Sequence, residues 1–171
     1  MMRRRTVSRE VARLPQLPDY LAPGLDIIFV GINPGVQSAR AGHYYANPRN
    51  PFWRLLYQAG LTPRELRPEE DHLLPTLGYG LTDIVKRPSR GVADLRPPEF
   101  RRGRQVLEEK LRARQPLIVC FNGKTAGRAE PVWRAAGYAT AVLPSTSPAY
   151  TRPMEEKLAA WRAVARFLEE G

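Results

Sequence analysis

Cysteine is all but missing from this chain of 171 residues: Cys120 is the only one, so no internal disulfide can form. The same count excludes a four-cysteine iron–sulfur cluster. Cys120 lies in the apolar run Leu117-Ile118-Val119-Cys120-Phe121 and reads as a buried thiol rather than a reactive one. Histidine is nearly as scarce. His43 and His72 are the only two, and neither stands in a metal-ligand spacing, so neither a metal nor another cofactor is expected. His72, beside Glu69-Glu70-Asp71, reads as a surface residue. No apolar stretch is long enough to span a bilayer, and Met1-Met2-Arg3-Arg4-Arg5 is basic without the apolar segment a secretory signal requires. A cytoplasmic location follows by elimination, with no membrane as partner. Gly123-Lys124-Thr125 looks like the end of a phosphate-binding loop, but Ile118 stands where that motif needs a glycine.

Acidic residues are also in short supply. There are 17 against 27 lysines and arginines, which leaves a net charge of +10. Such a balance favours a polyanionic partner, nucleic acid before membrane, through phosphate contacts and counterion release. Hydrophobic residues make up 43% of the chain, enough for one domain with its own core.

The pattern alternates strand and helix. Residues 1–22 read as a basic, proline-containing, flexible arm, with a short helix from Ser8, and 23–171 as a single domain. Strands are expected at Asp26 to Gly31, Gly78 to Ile84, Leu117 to Phe121 and Ala139 to Leu143. Asn50-Pro51 can start a helix that runs to Gly60, and Thr62-Pro63-Arg64-Glu65 has capping-box spacing. After Pro97-Pro98, Phe100, Leu107 and Leu111 fall near one helical face. A further helix is expected over Thr125 to Trp133. The last, from about Met154, aligns Leu158, Trp161, Ala165 and Leu168. This order predicts an α/β fold: three layers, α/β/α, around a central, mostly parallel, four-stranded sheet.

The run Ile27-Ile28-Phe29-Val30 ends abruptly in Gly31-Ile32-Asn33-Pro34-Gly35. Pro34 fixes its own φ and turns Asn33 away from helical geometry, so the segment is a stiff elbow bearing one amide. In open α/β sheets ligands bind at this carboxyl end of the strands. An ordinary strand-to-loop turn has the same composition.

Farther along come Gly42-His43-Tyr44-Tyr45 and Asn47-Pro48-Arg49-Asn50-Pro51-Phe52-Trp53, then Gly80-Leu81-Thr82, Arg87, Asp94-Leu95, Phe121-Asn122-Gly123-Lys124 and Leu143-Pro144-Ser145. With the Gly31–Gly35 elbow, these resemble the mismatch-specific uracil-DNA glycosylase and thymine-DNA glycosylase family of the uracil-DNA glycosylase superfamily. The resemblance runs in consistent order from about Ala22 to the C-terminus.

The resemblance implies a monofunctional, metal-independent N-glycosylase that excises uracil, with thymine and other damaged pyrimidines as further candidates. Its expected partner is double-stranded DNA with G·U or G·T mismatches, with single strands left open, and a monomer is expected to act. The nucleotide must leave the stack before its glycosidic bond can be reached. Asn33 is the candidate for holding the attacking water, because an amide orients water without being a base. Tyr45 matches the aromatic that stacks on the flipped base, and backbone N–H groups near Ile32 and Tyr45 match the donors to uracil O2. Ser145 joins the base-binding candidates, with Gly31, His43 and Asp94 as secondary ones.

Asp83 departs from the family, which usually carries lysine or asparagine there. Three roles are open to it: accepting from uracil N3–H, holding the water itself as a true general base in place of Asn33, or pairing with Lys86 or Arg87. The loop from Pro144 to Arg152 resembles the family's insertion loop but has Ser147-Pro148-Ala149-Tyr150 where the wedge should be. Ala149 aligns with the wedge and is small, whereas Tyr150 has a ring to stack. Broader acceptance of opposite bases is expected from this departure. Lys124 and Arg152, together with Arg87, Arg90 and Arg3-Arg4-Arg5, are candidates for phosphate contacts. A non-catalytic DNA-binding module of the same fold and a nucleoside N-glycosidase are the alternative readings.

Overall fold

Three of the four strands are buried along their whole length, and two of them, Ile27–Gly31 and Ile118–Asn122, carry unbroken apolar runs. The structure, a computed structural model, describes residues 2–171. The strands are β1 (Ile27–Gly31), β2 (Tyr79–Asp83), β3 (Ile118–Asn122) and β4 (Thr140–Leu143). All pairings are parallel, in the order β2-β1-β3-β4. Among the described residues six α-helices accompany them: α1 (Met2–Ala12), α2 (Val36–Ala41), α3 (Phe52–Gln58), α4 (Pro97–Arg114), α5 (Glu130–Ala135) and α6 (Met154–Glu170).

Side chains alternate across the sheet and divide the core in two. Ile27 and Phe29 of β1 face α3 and α6, where Phe52, Leu55, Leu56 and Trp161 are fully buried. Ile28 and Val30 face α4 and α5 through Leu107, Leu111 and Trp133. This is the expected three-layer α/β/α arrangement, with every strand pair parallel. Gly103 lets α4 lie directly on the sheet: a Cβ there would stand 2.1 Å from the Ile84 carbonyl oxygen. Among the described residues no helix is long and apolar enough to cross a membrane.

The first 22 residues differ from a free arm. The helix begins at Met2 rather than Ser8, and Leu17 is buried in the core. Tyr20 exchanges backbone hydrogen bonds with Leu81 (3.0 and 2.9 Å), so this segment covers the β2 edge of the sheet. Arg3 and Arg5 are exposed, while Met1 and the Arg4 side chain lie outside the described residues. The capping box expected at Thr62 does not form. The Thr62 hydroxyl donates instead to the Arg64 carbonyl (2.8 Å), and a helical turn starts only at Pro68, where Glu70 accepts from Arg67 N–H (3.0 Å).

Candidate active site at the carboxyl edge of the sheet

The strand register places Gly31 opposite Asp83, and Val30 opposite Phe121, so Asn122 comes level with the same edge. A cavity of about 560 Å³ opens there. Gly31, Ile32, Asn33, Tyr45, Asp83 and Ser145 all line it. So do Asn122, Ser89, Ser147 and Pro148.

Asn33 is held by its amide nitrogen. Nδ2 donates to the Arg87 carbonyl oxygen (2.9 Å) and to Ser89 Oγ (2.8 Å). A carbonyl only accepts, so the amide orientation is fixed by chemistry. The Ser89 hydroxyl donates to the Gly91 carbonyl (2.9 Å), which leaves its oxygen to accept from Asn33. Both Asn33 N–H groups are therefore occupied, and Oδ1 is left as an acceptor.

Asp83 is buried and makes no ion pair among the described residues. Lys86 donates instead to Asp19 (2.8 Å), and Arg87 binds Glu99 (2.7 and 3.0 Å), which removes the salt-bridge reading of Asp83. Asp83 Oδ2 and Tyr45 Oη are both buried without a hydrogen-bond partner. Burial pushes the Asp83 pKa up to about 7, with Asp19 adding to the rise and Lys86 and Lys110 opposing it. Behind it, Asp19 accepts from Thr82 (2.7 Å), Lys86 (2.8 Å) and Lys110 (2.5 Å). Burial pushes Asp19 up, but these bonds together outweigh it and hold the carboxyl below its ordinary range.

Tyr45 adopts a left-handed backbone, φ 52°, which is uncommon for a bulky residue. Its neighbours hold it there. Tyr44 N–H donates to the fully buried Asp71 (2.9 Å), Trp53 Nε1 donates to the Tyr44 carbonyl (3.1 Å), and Ala46 N–H donates to Ser38 Oγ (3.1 Å). One face of the Tyr45 ring stacks on Phe52, with centroids 4.0 Å apart. Burial and the neighbouring Asp83 raise the Tyr45 pKa, against the opposing effect of the nearby Asn122 amide, so its hydroxyl stays protonated at neutral pH.

Other expected site residues lie elsewhere. His43 does not line the cavity; its Nδ1 stands 3.2 Å from Asp71. Asp94 is exposed outside the cavity, and its backbone carbonyl accepts from Arg87 (2.9 Å). Lys124 is exposed, and Arg152 lies 3.4 Å from Glu156. Ala149 is exposed, whereas Tyr150 is half-buried with Lys157 Nζ 5.3 Å from its ring centre.

Asn122 had no role in the sequence reading. It is buried and trades two hydrogen bonds with Thr146, both 2.9 Å, tying β3 to the loop after β4. Its signal was available: like Asp83, it is a polar residue ending an apolar strand. Ser89 and Asp71 gave no such signal, since a serine after a proline and an aspartate in an acidic run read as surface.

The uracil DNA glycosylase superfamily model matches residues 18–168. Among solved structures, the chain resembles a Methanosarcina acetivorans protein assigned as a uracil DNA glycosylase and determined by solution NMR. The two are 34% identical with a TM-score of 0.69, over 91% of this chain and 98% of that one. The chain belongs to the uracil DNA glycosylase superfamily, whose members are DNA N-glycosylases, hydrolases that act on DNA.

Proposed function

We propose that this protein is a mismatch-directed DNA glycosylase that flips uracil out of the duplex and hydrolyses its glycosidic bond to start base excision repair. The supporting observation is the Asn33 amide. Both its N–H groups are used, its oxygen is free, and it stands in one cavity with a buried, unpaired carboxyl at Asp83. Bond cleavage leaves positive charge on the sugar and negative charge on the departing base. Asn33 Oδ1 orients the water, and Asp83, with a pKa near the working pH, receives its proton.

Tyr45, backed by Phe52, supplies the stacking face, and its hydroxyl remains available to the base. The Asn122 amide stands in the same wall as Ser145 and is fixed by Thr146, which suits it to reading an imide edge. Flipping costs a few kcal/mol and least for a weak pair, which favours G·U and G·T over a Watson–Crick pair. The exposed Ala149 is a small wedge, so single strands are also substrates.

The test is single-turnover uracil release from G·U duplex, A·U duplex and single strands, with alkaline cleavage of the abasic product as readout. Release that depends on Asn33 and Asp83 is expected. Intact substrate after prolonged incubation with excess protein would sink the reading.

A further inference from the structure

Val92, at the rim of the base cavity, also lines a second recess of about 380 Å³. Its lining combines apolar Val92, Leu95, Pro97 and Phe100 with Thr125. Three arginines from two elements complete it, Arg101 and Arg104 of α4 and Arg128 of the turn Ala126–Ala129. Pro97, Phe100, Arg101 and Arg104 follow helical spacing, so they form one stripe along the first two turns of α4.

Three nearby carboxylates are already engaged: Glu99 binds Arg87, Glu108 binds Arg112 and Glu130 binds Arg134. Asp94 is exposed to solvent and is in no ion pair among the described residues. Among the described residues Arg101, Arg104 and Arg128 make no ion pair. Three uncompensated guanidinium groups beside apolar side chains suit a ligand with repeated anionic groups joined by less polar parts. Phosphates would pair with the arginines, and deoxyribose or a base face would cover the apolar side chains.

We infer that this recess is a second DNA contact, which takes the sugar–phosphate backbone of nucleotides flanking the flipped one. The inference rests on the glycosylase reading for the position of the flipped base. Two observations favour DNA over an acidic protein segment. The recess and the base cavity share Val92 as a lining residue, and Arg90, close to Val92 in sequence, lines the base cavity as well. The chain's net charge of +10 acts in the same direction.

The test is fluorescence anisotropy with the full chain and labelled duplexes bearing 2′-fluorodeoxyuridine opposite guanine, which resists excision. The flank on each side of the lesion is trimmed in turn. Arg101→Gln/Arg104→Gln/Arg128→Gln should weaken binding and lower the salt slope by about 2 to 3, near 0.9 for each phosphate that is no longer neutralised. The triple lysine variant should regain most of the slope, since it keeps the charges. Trimming one flank should weaken the unaltered protein but not the glutamine variant. Arg13→Gln/Arg162→Gln/Arg166→Gln, at exposed positions outside the recess, is the charge-matched control. A glutamine variant with the slope of this control, or with a loss independent of flank length on both sides, overturns the proposal. Excision of ordinary deoxyuridine is followed in parallel. Its absence removes the glycosylase reading, whereas flank-dependent loss of binding still supports the recess.

Discussion

Gly31 approaches Asp83 so closely that a side-chain carbon on it would lie 2.5 Å from Asp83 Oδ1 and 3.1 Å from Tyr45 Oη. The glycine is therefore part of the cavity's shape. Its missing side chain is what allows a carboxyl and a phenol to approach the backbone at the end of β1. Gly31→Ala should displace one of the two groups and lower uracil excision at least about tenfold, with a far-ultraviolet spectrum unchanged. Single-turnover rates on G·U duplex check this, and a normal rate would show that the carboxyl has room to move.

Asn33→Ala should lower the single-turnover rate by about 100-fold, the lower end of what positioned proton-transfer and water-orienting groups supply. Ser89→Ala removes only one of the two anchors on Asn33, so its loss should be smaller, on the order of tenfold. Both effects belong in the maximal rate rather than in the protein concentration needed for half-saturation. An equal loss in binding would place Asn33 on the DNA and away from the water.

The sequence made the architecture legible because buried parallel strands are unbroken apolar runs, and Ile27 to Val30 and Ile118 to Phe121 have no other reading. The elbow at Asn33 and the aromatic at Tyr45 were legible through turn chemistry and family resemblance. Side-chain partners were not. Asp83 has Lys86 and Arg87 beside it in sequence, yet Asp19 takes the lysine and Glu99 takes the arginine. Asp19 lies in a segment that had no apolar periodicity to announce that it packs on the sheet edge. Asp71 was hidden for a related reason: in a run of acids, nothing local distinguishes the one turned inward to hold the Tyr44 backbone.

Asp83 gives the protein two opposed pH dependences. As a base it must be ionised, so excision should fall about tenfold per pH unit below its pKa of about 7 and level off above it. Asp83→Asn should flatten that limb. Stability runs the other way. Folding raises this carboxyl from 3.8 to about 7, so its contribution is fully present below about pH 4 and is lost as the pH rises to 7. Asp83→Asn should therefore melt several degrees higher than the parent at pH 8 and at the same temperature at pH 4. Coincident melting curves at both values would mean that the carboxyl is not desolvated.

Tyr45 separates stacking from hydrogen bonding. Tyr45→Phe keeps the ring on Phe52 and removes only the unpartnered hydroxyl, so binding of a flipped base should persist while the rate drops. Tyr45→Ala removes the stacking face, worth roughly 1–3 kcal/mol per base, and should raise the half-saturating concentration roughly tenfold to a hundredfold. Titrations with single-stranded uracil substrates make this comparison without the cost of opening a duplex.

The loop after β4 is pinned at its base and open at its tip. Thr146 is fully buried against Asn122, while Ser147 and Ala149 are exposed. Tyr150 is not free to serve as the wedge. Its carbonyl accepts from Lys157 Nζ (2.8 Å), and the same ammonium stands over its ring. On the proposed reading the inserted residue is Ala149, which has little surface to fill the gap left by a flipped base. Ala149→Leu adds three carbons, worth about 0.8 kcal/mol for each one buried, so the ratio of G·U duplex to single-strand excision should rise at least about tenfold. Tyr150→Ala should change that ratio far less. The reverse ranking, measured on matched oligonucleotides, would return the wedge to Tyr150 and require Lys157 to release its ring on contact with DNA.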